Sequence, residues 1–219
     1  ASWLLDYFEF SHDLVPDIVG NFTPQAYISK QAAEETGLPE GIPITYRAGD
    51  QPNNALSLNV FNSGEVAATG GTSGVIYALT DNKNSNEASR INHFAHVNYS
   101  AENPTIGKLL CINGAGIMYR WLRNQSSAES YETMNRKASK IAIGSEGLVI
   151  LPFGNGAERM LDNTNVGTQF CNINLNQHSK AHLYRAALEG IAFSFVYGME
   201  ILKNDNANIK VIRAGNDNL

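Results

Sequence analysis

The sequence has few of the features that mark membrane, secreted or nucleic-acid-binding proteins. Only two of its 219 residues are cysteine, Cys111 and Cys171, and they form no C-x-x-C pair. This spacing predicts neither a disulfide framework nor a zinc site, and we expect both thiols to be buried. Positive charge is also sparse, since 16 Lys and Arg face 21 Asp and Glu, giving a net charge of −5. Without a basic cluster, nucleic acid and anionic membranes are not expected partners.

Long apolar runs are missing as well. No segment approaches the roughly 20 apolar residues of a membrane helix. The start, ASWLLDYFEF, carries acids where a signal peptide would carry positive charge, so we expect a cytoplasmic protein. The hydrophobic content of 43% is sufficient for a real core in one large or two small domains. The lack of an initiator Met and the abrupt end after a last strand lead us to expect a fragment of a longer chain.

What the sequence does contain is a series of strand-length apolar runs separated by glycine. Two runs flank Gly70, Gly71 and Gly74, and they predict a β-hairpin with a tight turn. The longest predicted helix, from about 179 to 203, repeats apolar residues every three or four positions and should lie against a sheet. Hairpins combined with strand–helix–strand units predict a layered α/β domain with a mixed sheet. Other helices are expected near 28–36, 116–124 and 129–143, and other strands near 44–48, 91–99, 108–116, 148–153, 169–173 and 209–215.

The stretch AGDQPNNA, residues 48–55, places a carboxylate between an apolar run and a helix that Pro52 begins. One interpretation is a helix cap, because a carboxylate accepts hydrogen bonds from the free N–H groups of a first turn. The other is a general base at the carboxyl end of a strand, where α/β domains bind ligands. The spacing alone favours the cap.

Glycines mark three predicted strand ends. The turn GGTSG, residues 70–74, offers backbone N–H groups and two hydroxyls to phosphate oxygens, although the sequence alone favours a plain tight β-turn. The segments NGAG, residues 113–116, and AGND, residues 214–217, repeat this arrangement before a helix and after the last strand. Each is a weak signal alone, since such glycines often serve only close packing. Together they predict a nucleotide cleft.

Two further groups of polar residues leave alternatives open. His93 and His96 could ligate a metal, but no additional ligands are identifiable, and a core or edge position is favoured. Glu158 and Arg159 could anchor their own glycine-rich loop or reach the cleft, and the sequence does not distinguish these possibilities.

Seven segments carry a resemblance to a known family: AGDQPNNA, EVAATGGTSGVIYALTD, INHFAHV, GAGIMYRWLRN, LVILPFGNGAER, LYRAALEGIAFSF and VIRAGND. In this order and at these spacings they resemble the carboxyl-terminal half of the FGGY carbohydrate kinases, xylulokinases in particular. The resemblance implies an actin-like (ribonuclease H-like) α/β fold with a mixed sheet flanked by helices. It implies ATP and Mg²⁺ as cofactors and phosphorylation of a sugar hydroxyl, with D-xylulose as the expected substrate. Residues 1–43 would end the amino-terminal domain, and 44–219 would be a truncated carboxyl-terminal kinase domain.

The same resemblance implies roles for individual residues. Asp50 would be the general base that takes the proton from the attacking sugar hydroxyl, which reverses the preference for a cap. Gln51 would help to hold the sugar. The residues implied for the nucleotide are Gly71, Thr72, Ser73, Gly116, Arg120, Gly215, Asn216 and Asn218. No metal ligand is implied in this half.

Several departures from the family pattern leave the substrate open. The loop GNGAERML lacks the usual Thr-Pro, Gln51 stands where most xylulokinases have Asn, and Asn172 replaces a glycine of the second signature. The last loop reads RAGN instead of G-G-G-A. Glycerol, gluconate and ribulose are therefore alternative substrates, and a non-catalytic actin-like nucleotide-binding protein is the alternative class.

Two expectations concern the whole molecule. The resemblance makes ATP and a small sugar the expected partners and a homodimer the implied assembly, because dimers are common in such kinases. We expect the 219-residue chain alone to lack kinase activity, because the implied amino-terminal domain supplies the other wall of the cleft.

Overall fold

The computed structural model describes residues 2–128 and 130–215, and it divides the chain into two compact units, Ala1–Gly49 and Asp50–Leu219. The domain boundary after residue 43 that the resemblance implies stays a prediction. Asn216 and Asn218 lie outside the described residues.

The first unit consists of short elements, and none of its described residues is fully buried. Its two short strands pair antiparallel. The helix predicted near 28–36 begins at residue 30, because the Ser29 hydroxyl accepts a hydrogen bond from the Ala32 amide (3.2 Å), and it ends where Gly37 takes a left-handed conformation (φ 75°). The elements are α1 (Ser2–Tyr7), a 3₁₀ turn (His12–Leu14), β1 (Ala26–Tyr27), α2 (Lys30–Thr36) and β2 (Pro43–Ile44).

The second unit is built on a five-stranded mixed sheet, as the sequence predicts. The strand order is β5-β6-β4-β3-β9; the β3–β9 pair is parallel and the other pairs are antiparallel. β7 and β8 form a separate antiparallel pair. The elements are α3 (Asp50–Ser57), β3 (Glu65–Gly70), β4 (Gly74–Thr80), β5 (Asn92–Ala95), β6 (Ile106–Ile112), α4 (Gly116–Gln125), α5 (Tyr131–Ala138), β7 (Val149–Phe153), β8 (Gly167–Cys171), α6 (Lys180–Asn204) and β9 (Val211–Gly215), with 3₁₀ turns at Ser145–Gly147 and Glu158–Leu161.

The two faces of the five-stranded sheet carry different helices. Side chains alternate along each strand, so Ala67, Val75 and Cys111 share one face and contribute to the cluster under α3. Ile76, Leu110 and Ile112 point the other way, toward α6, whose Gly198 leaves room for them. A third cluster joins α4, α5 and α6 to β7. The sheet is therefore covered by α3 on one face and by α6 on the other.

α5 is shorter than the predicted helix at 129–143. It begins at Tyr131, because the Ser130 hydroxyl accepts a hydrogen bond from the Thr133 amide (3.1 Å), and it ends at Ala138. The following residues form turns that lead to Gly144, whose φ of 90° a helix does not tolerate. The apolar residues after 138 therefore belong to a connection.

Both cysteines were expected to be buried, and this is wrong. Cys111 and Cys171 are free thiols that keep partial exposure, because each lies near the carboxyl end of its strand. None of the helices in the described ranges is long and apolar enough to cross a membrane.

Candidate active site and nucleotide cavity

The predicted hairpin turn between β3 and β4 packs against the first turn of α4. The Gly71 carbonyl accepts a hydrogen bond from the Gly116 amide (3.0 Å), and the Thr72 carbonyl accepts one from the Ile117 amide (3.1 Å). A Cβ atom at Gly116 would lie 2.4 Å from the Gly71 oxygen, so only glycine permits this approach. The first two N–H groups of α4 are therefore already satisfied by the turn, and they are not free donors for a phosphate.

The turn itself keeps donors available. The Gly71 amide donates to the Ser73 carbonyl (3.0 Å), which closes the turn. The amides of Thr72 and Ser73 have no acceptor within the described ranges. Two adjacent N–H groups with free hydroxyls beside them form a small concavity that suits phosphate oxygens.

A cavity of about 860 Å³ opens between this turn, α4, α5 and α6. Four of the predicted nucleotide residues line it: Gly71, Thr72, Gly116 and Arg120. The Arg120 side chain is exposed and has no ion-pair partner among residues 2–128 and 130–215. The other lining residues are Ala68, Gly70, Ala115, Tyr119, Tyr131, Glu132, Asn135, Leu188, Ile191, Phe195 and Ala214.

Two predicted nucleotide residues do not line the cavity. Ser73 lies in the turn beside it. Gly215 ends β9 opposite Thr69, where a Cβ atom would lie 2.5 Å from a Leu58 methyl group. The missing side chain of Gly215 therefore leaves room for Leu58, which follows α3. Ala214, the neighbour of Gly215, lines the cavity.

Asp50 lies on the opposite face of the sheet from the cavity, at the first turn of α3. Its carboxylate is exposed, and one oxygen accepts a hydrogen bond from the amide of Gln51 (2.8 Å). The second oxygen has no hydrogen-bond partner in the described part of the chain. Asp50 thus does not bridge to the amides deeper in the helix, as a cap does, and one carboxylate oxygen is available to a ligand.

The charges of Asp50, Glu158 and Arg159 all affect the pKa of the Cys111 thiol. Burial raises the pKa of the Cys111 thiol, and the negative charges of Glu158 and Asp50 raise it further, whereas Arg159 opposes them. Of the elements that carry these charges, the 3₁₀ turn at 158–161 packs beside β6, the strand that carries Cys111. The site beside Asp50 is accordingly polar and carries both signs of charge.

The Gln51 side chain contains an unsatisfied acceptor. Its amide oxygen is shielded from solvent and has no donor among the described residues. Leaving such an atom unpaired costs about 1–3 kcal/mol. The burial of this oxygen does not by itself identify a ligand contact, and the sugar-binding role of Gln51 stays a prediction.

Of the two roles that the sequence left open for Glu158 and Arg159, the structure supports the loop anchor, and neither residue lines the cavity. Arg159 donates a hydrogen bond to the Asn92 side chain of β5, which anchors the loop, while its charge acts on Cys111 beside Asp50.

The histidines take structural positions, as favoured. His96 is buried and lies within hydrogen-bonding distance of the Val60 carbonyl (3.1 Å), and burial lowers its pKa. Within residues 2–128 and 130–215, no group of three or more potential ligands is placed to hold a metal.

Comparison with known proteins settles the family. Residues 66–215 match the family profile described as "FGGY family of carbohydrate kinases, C-terminal domain". The chain belongs to the FGGY family. Asp50 and Gln51 lie before the matched residues, so their roles stay predictions.

The relatives include kinases for different sugars. Gluconokinase of Bacillus subtilis is 29% identical over 196 residues, which cover 83% of this chain and 37% of that protein. The probable L-xylulose kinase of Haemophilus influenzae is 26% identical over 203 residues, which cover 92% of this chain and 40% of that protein. This FGGY chain therefore spans about two fifths of the length of these curated relatives.

Solved structures share the fold. Xylulose kinase from Rhodospirillum rubrum matches with a TM-score of 0.85 at 23% identity, covering 99% of this chain and 43% of that one. Gluconate kinase from Lactobacillus acidophilus matches with a TM-score of 0.79 at 24% identity, covering 98% and 43%. These matches confirm the actin-like α/β fold with a mixed sheet flanked by helices.

Sequence reasoning missed much of the cavity wall. Tyr131, Glu132 and Asn135 of α5 belong to no motif, and nothing in the sequence indicates that α5 packs beside α4. The apolar repeat of α6 does identify Ile191 and Phe195, but as core residues facing a sheet. A periodic pattern finds a packed face and does not show which part of it lines a cavity.

Proposed function

We propose that the protein containing this chain transfers the γ-phosphoryl group of ATP to a hydroxyl of a small sugar or sugar acid. D-xylulose, which would give D-xylulose 5-phosphate, is the expected substrate. Gluconate is the second candidate, because gluconokinases are among the curated relatives with identities no lower than those of the xylulose kinases.

The arrangement around the hairpin turn carries this proposal. The nucleotide cavity opens on the α6 face of the sheet, the exposed Asp50 carboxylate lies on the α3 face, and the turn with its free amides lies at the sheet end between them. Phosphoryl transfer depends mainly on positioning and on stabilising charge on the transferred group. A nucleotide on one side, an acceptor on the other and phosphate donors between them satisfy this requirement.

The reaction assigns one task to each group. The Asp50 carboxylate takes the proton of the acceptor hydroxyl, whose oxygen then forms a bond to the γ-phosphorus as the bond to the β-phosphate oxygen breaks, leaving ADP. Gln51 binds a second hydroxyl of the acceptor. The Thr72 and Ser73 amides and the Arg120 guanidinium stabilise phosphate charge.

Mg²⁺ would be held mostly by phosphate oxygens and water, the usual arrangement for this ion. The described residues offer no complete set of protein ligands, so no step of the proposal depends on them as a metal site.

Substitution of Asp50 by Asn tests the proposal. The complete polypeptide that carries these residues is assayed with xylulose, ribulose, gluconate and glycerol, and ADP binding is measured by calorimetry. Asp50→Asn should lower turnover by about 10²–10⁴-fold, the usual contribution of a positioned base. ADP affinity should change by less than about twofold, because the carboxylate and the cavity lie on opposite faces of the sheet.

Asp81→Asn is the matched control, since this exposed carboxylate follows β4 at the end away from the turn. It should change neither quantity. Equal losses of turnover and ADP affinity in Asp50→Asn would remove Asp50 from the role of base, and absence of ADP binding by the unaltered protein would refute the nucleotide cavity.

A further inference from the structure

Residues 144–147, between α5 and β7, form a left-handed turn. All four have positive φ: 90° at Gly144, 47° at Ser145, 52° at Glu146 and 90° at Gly147. This conformation is unfavourable for residues that carry a side chain, so Ser145 and Glu146 need support from outside the turn. At the surface, the Glu146 carboxylate accepts a hydrogen bond from the Gln177 amide (2.6 Å), which holds the second half of the turn.

One carboxylate of α6 holds the first half of the turn. Glu189 accepts hydrogen bonds from the Gly144 amide (2.9 Å) and the Ser145 hydroxyl (3.1 Å). Ser145 is fully buried, so water is not an alternative partner for its hydroxyl. Burial alone would raise the pKa of Glu189, but Arg185 and the two donors of the turn outweigh it and hold that pKa below its ordinary value. Glu189 is thus an ionised acceptor at neutral pH.

The same part of α6 also rests on the strand that follows the turn. β7 begins at Val149, and a Cβ atom at Gly190 would lie 2.1 Å from the carbonyl oxygen of Ile150. Glu189 and Gly190 are adjacent, so α6 holds the turn through a side chain and β7 through a backbone contact. The place of β7 is therefore set both by the turn that leads into it and by its second residue.

β7 in turn supports the start of α4. A Cβ atom at Gly114 would lie 1.8 Å from the Pro152 carbonyl oxygen, so the chain between β6 and α4 rests directly on the β7 backbone. Two residues later, the Gly116 amide donates to the Gly71 carbonyl of the glycine turn at residues 70–74. Because packed backbone contacts leave no free space, a displacement of β7 would move the α4 start and the glycine turn with it.

These contacts connect α6 to the glycine turn without a gap. We propose that Glu189 is a positioning residue of the kinase site: by holding the left-handed turn it fixes β7, and through β7 the α4 start and the glycine turn. The inference rests on the proposed function, in which the Thr72 and Ser73 amides stabilise phosphate charge. Glu189 is not among the residues that line the cavity, so it acts only through the protein.

Hydrogen–deuterium exchange in the complete polypeptide measures this coupling without depending on activity. Glu189→Ala should raise the exchange rates of the Gly116 and Ile117 amides about tenfold or more, because their acceptors lie in the glycine turn. Exchange in the β5–β6 pair should change by less than about twofold. Glu189→Gln keeps an oxygen for the Gly144 amide and should stay within about threefold of the parent. Glu200→Ala, an exposed substitution later in α6, is the control and should change neither region.

Gly147→Ala tests the left-handed turn from its other end. Apart from chain neighbours, a Cβ atom at Gly147 would meet no atom within 4 Å, so the substitution acts through the backbone, whose φ of 90° disfavours alanine. It leaves Glu189 intact and should raise exchange at Gly116 and Ile117 by about three- to tenfold. This second variant tests the same coupling if Glu189→Ala does not fold.

Turnover supplies the functional readout. Per folded molecule, Glu189→Ala should lower kcat by about 10- to 100-fold, the cost of a small displacement of groups that act on the transferred phosphoryl group. The KM of the acceptor should change by less than about twofold, because the acceptor binds beside Asp50, which the contacts from Glu189 do not include. Glu189→Gln should recover most of the lost kcat.

The outcomes separate this inference from the proposed function. If exchange rises only in and next to the left-handed turn, or by one factor throughout the second unit, Glu189 is merely structural and the inference is overturned. A kcat of Glu189→Ala within about twofold of the parent would overturn it as well. If the unaltered polypeptide phosphorylates none of the four acceptors, the proposed function fails, while exchange at Gly116 and Ile117 still decides whether Glu189 positions the glycine turn.

Discussion

Among single residues, Gly116 determines whether the glycine turn at residues 70–74 can rest on α4. Its backbone does not require glycine, but a Cβ atom there would lie 2.4 Å from the Gly71 oxygen. Gly116→Ala should therefore push the turn away, break its two bonds to α4 and cost about 1–3 kcal/mol of the free energy of unfolding. ADP affinity should fall as well, because the Thr72 and Ser73 amides move with the turn.

Urea denaturation and calorimetric titration with ADP measure the two effects. Asn124→Ala, an exposed substitution later in the same helix, is the control and should stay within about 0.5 kcal/mol of the parent. Unaltered stability and ADP affinity in Gly116→Ala would show that the turn does not depend on this contact.

Sequence reasoning identified the residues of this contact but not the contact itself. The glycines of the turn and of the α4 start were predicted as separate ligand-facing features. Their mutual hydrogen bonds join residues 71 and 116, which are far apart in the chain. The glycines in the sequence indicate that another group can approach the backbone closely. Only the assembled sheet shows that the approaching group belongs to the protein and not to a ligand.

Among the elements, β9 is an edge strand of the five-stranded sheet, and an ion pair strengthens its pairing with β3. Glu65 accepts hydrogen bonds from the Phe61 and Asn62 amides (2.8 and 3.0 Å) and lies 3.0 Å from the Arg213 guanidinium of β9. The Phe61 amide, with the Asn62 amide and Arg213, outweighs burial and lowers the pKa of Glu65 to about 2. The ionised form is thus more stable in the folded protein than in the unfolded chain.

The sign of the pH dependence follows from this lowered pKa. The contribution of Glu65 to stability is complete above its ordinary pKa of 4.5 and is lost as pH falls from there toward about 2. Glu65→Gln should lower the free energy of unfolding at pH 7, and the difference from the parent should shrink below pH 4.5. Denaturation series from about pH 7 to about pH 3 measure it, with exposed Glu102→Gln as control. A difference that is constant across this range would exclude the ionised carboxylate as its source.

The elements themselves were largely predictable, and their arrangement was not. The hairpin at 70–74 and the long α6 follow from turn residues and from apolar periodicity. α5 was predicted too long, because the pattern does not show that Ser130 caps it and that a connection begins after Ala138. The parallel pairing of β9 with β3 joins segments that the sequence separates widely, so no local signal reports it.

The proposed function depends on bringing the two faces of the sheet together at one end. The alternation along β3 and β4 sends Ala67 toward α3 and Ala68 toward α6, so one hairpin borders both the Asp50 side and the cavity. The motifs were predictable from the sequence, whereas their division between two faces required the sheet order. Substrate choice, dimer formation and cytoplasmic location stay predictions.

A buried ion pair ties distant segments of the second unit together. Lys108 of β6 is fully buried, and its ammonium lies 2.7 Å from the Asp205 carboxylate at the end of α6. Asp205 also accepts hydrogen bonds from the Ser85 hydroxyl (2.9 Å) and the Glu87 amide (3.1 Å), which fastens the loop after β4. Burial alone would raise the pKa of Asp205, but Lys108 and the loop donors outweigh it and hold that pKa below its ordinary value.

Removing one partner should leave an uncompensated charge in the interior, so Lys108→Met and Asp205→Asn should each cost about 3–5 kcal/mol of the free energy of unfolding. The double variant should be destabilised by clearly less than the sum, because it contains no buried charge and the amide oxygen introduced by Asp205→Asn still accepts from the loop. Urea denaturation of the three variants, with exposed Lys203→Met as control, gives the coupling between the two sites. Additive losses in the double variant would mean that Lys108 and Asp205 stabilise the unit independently.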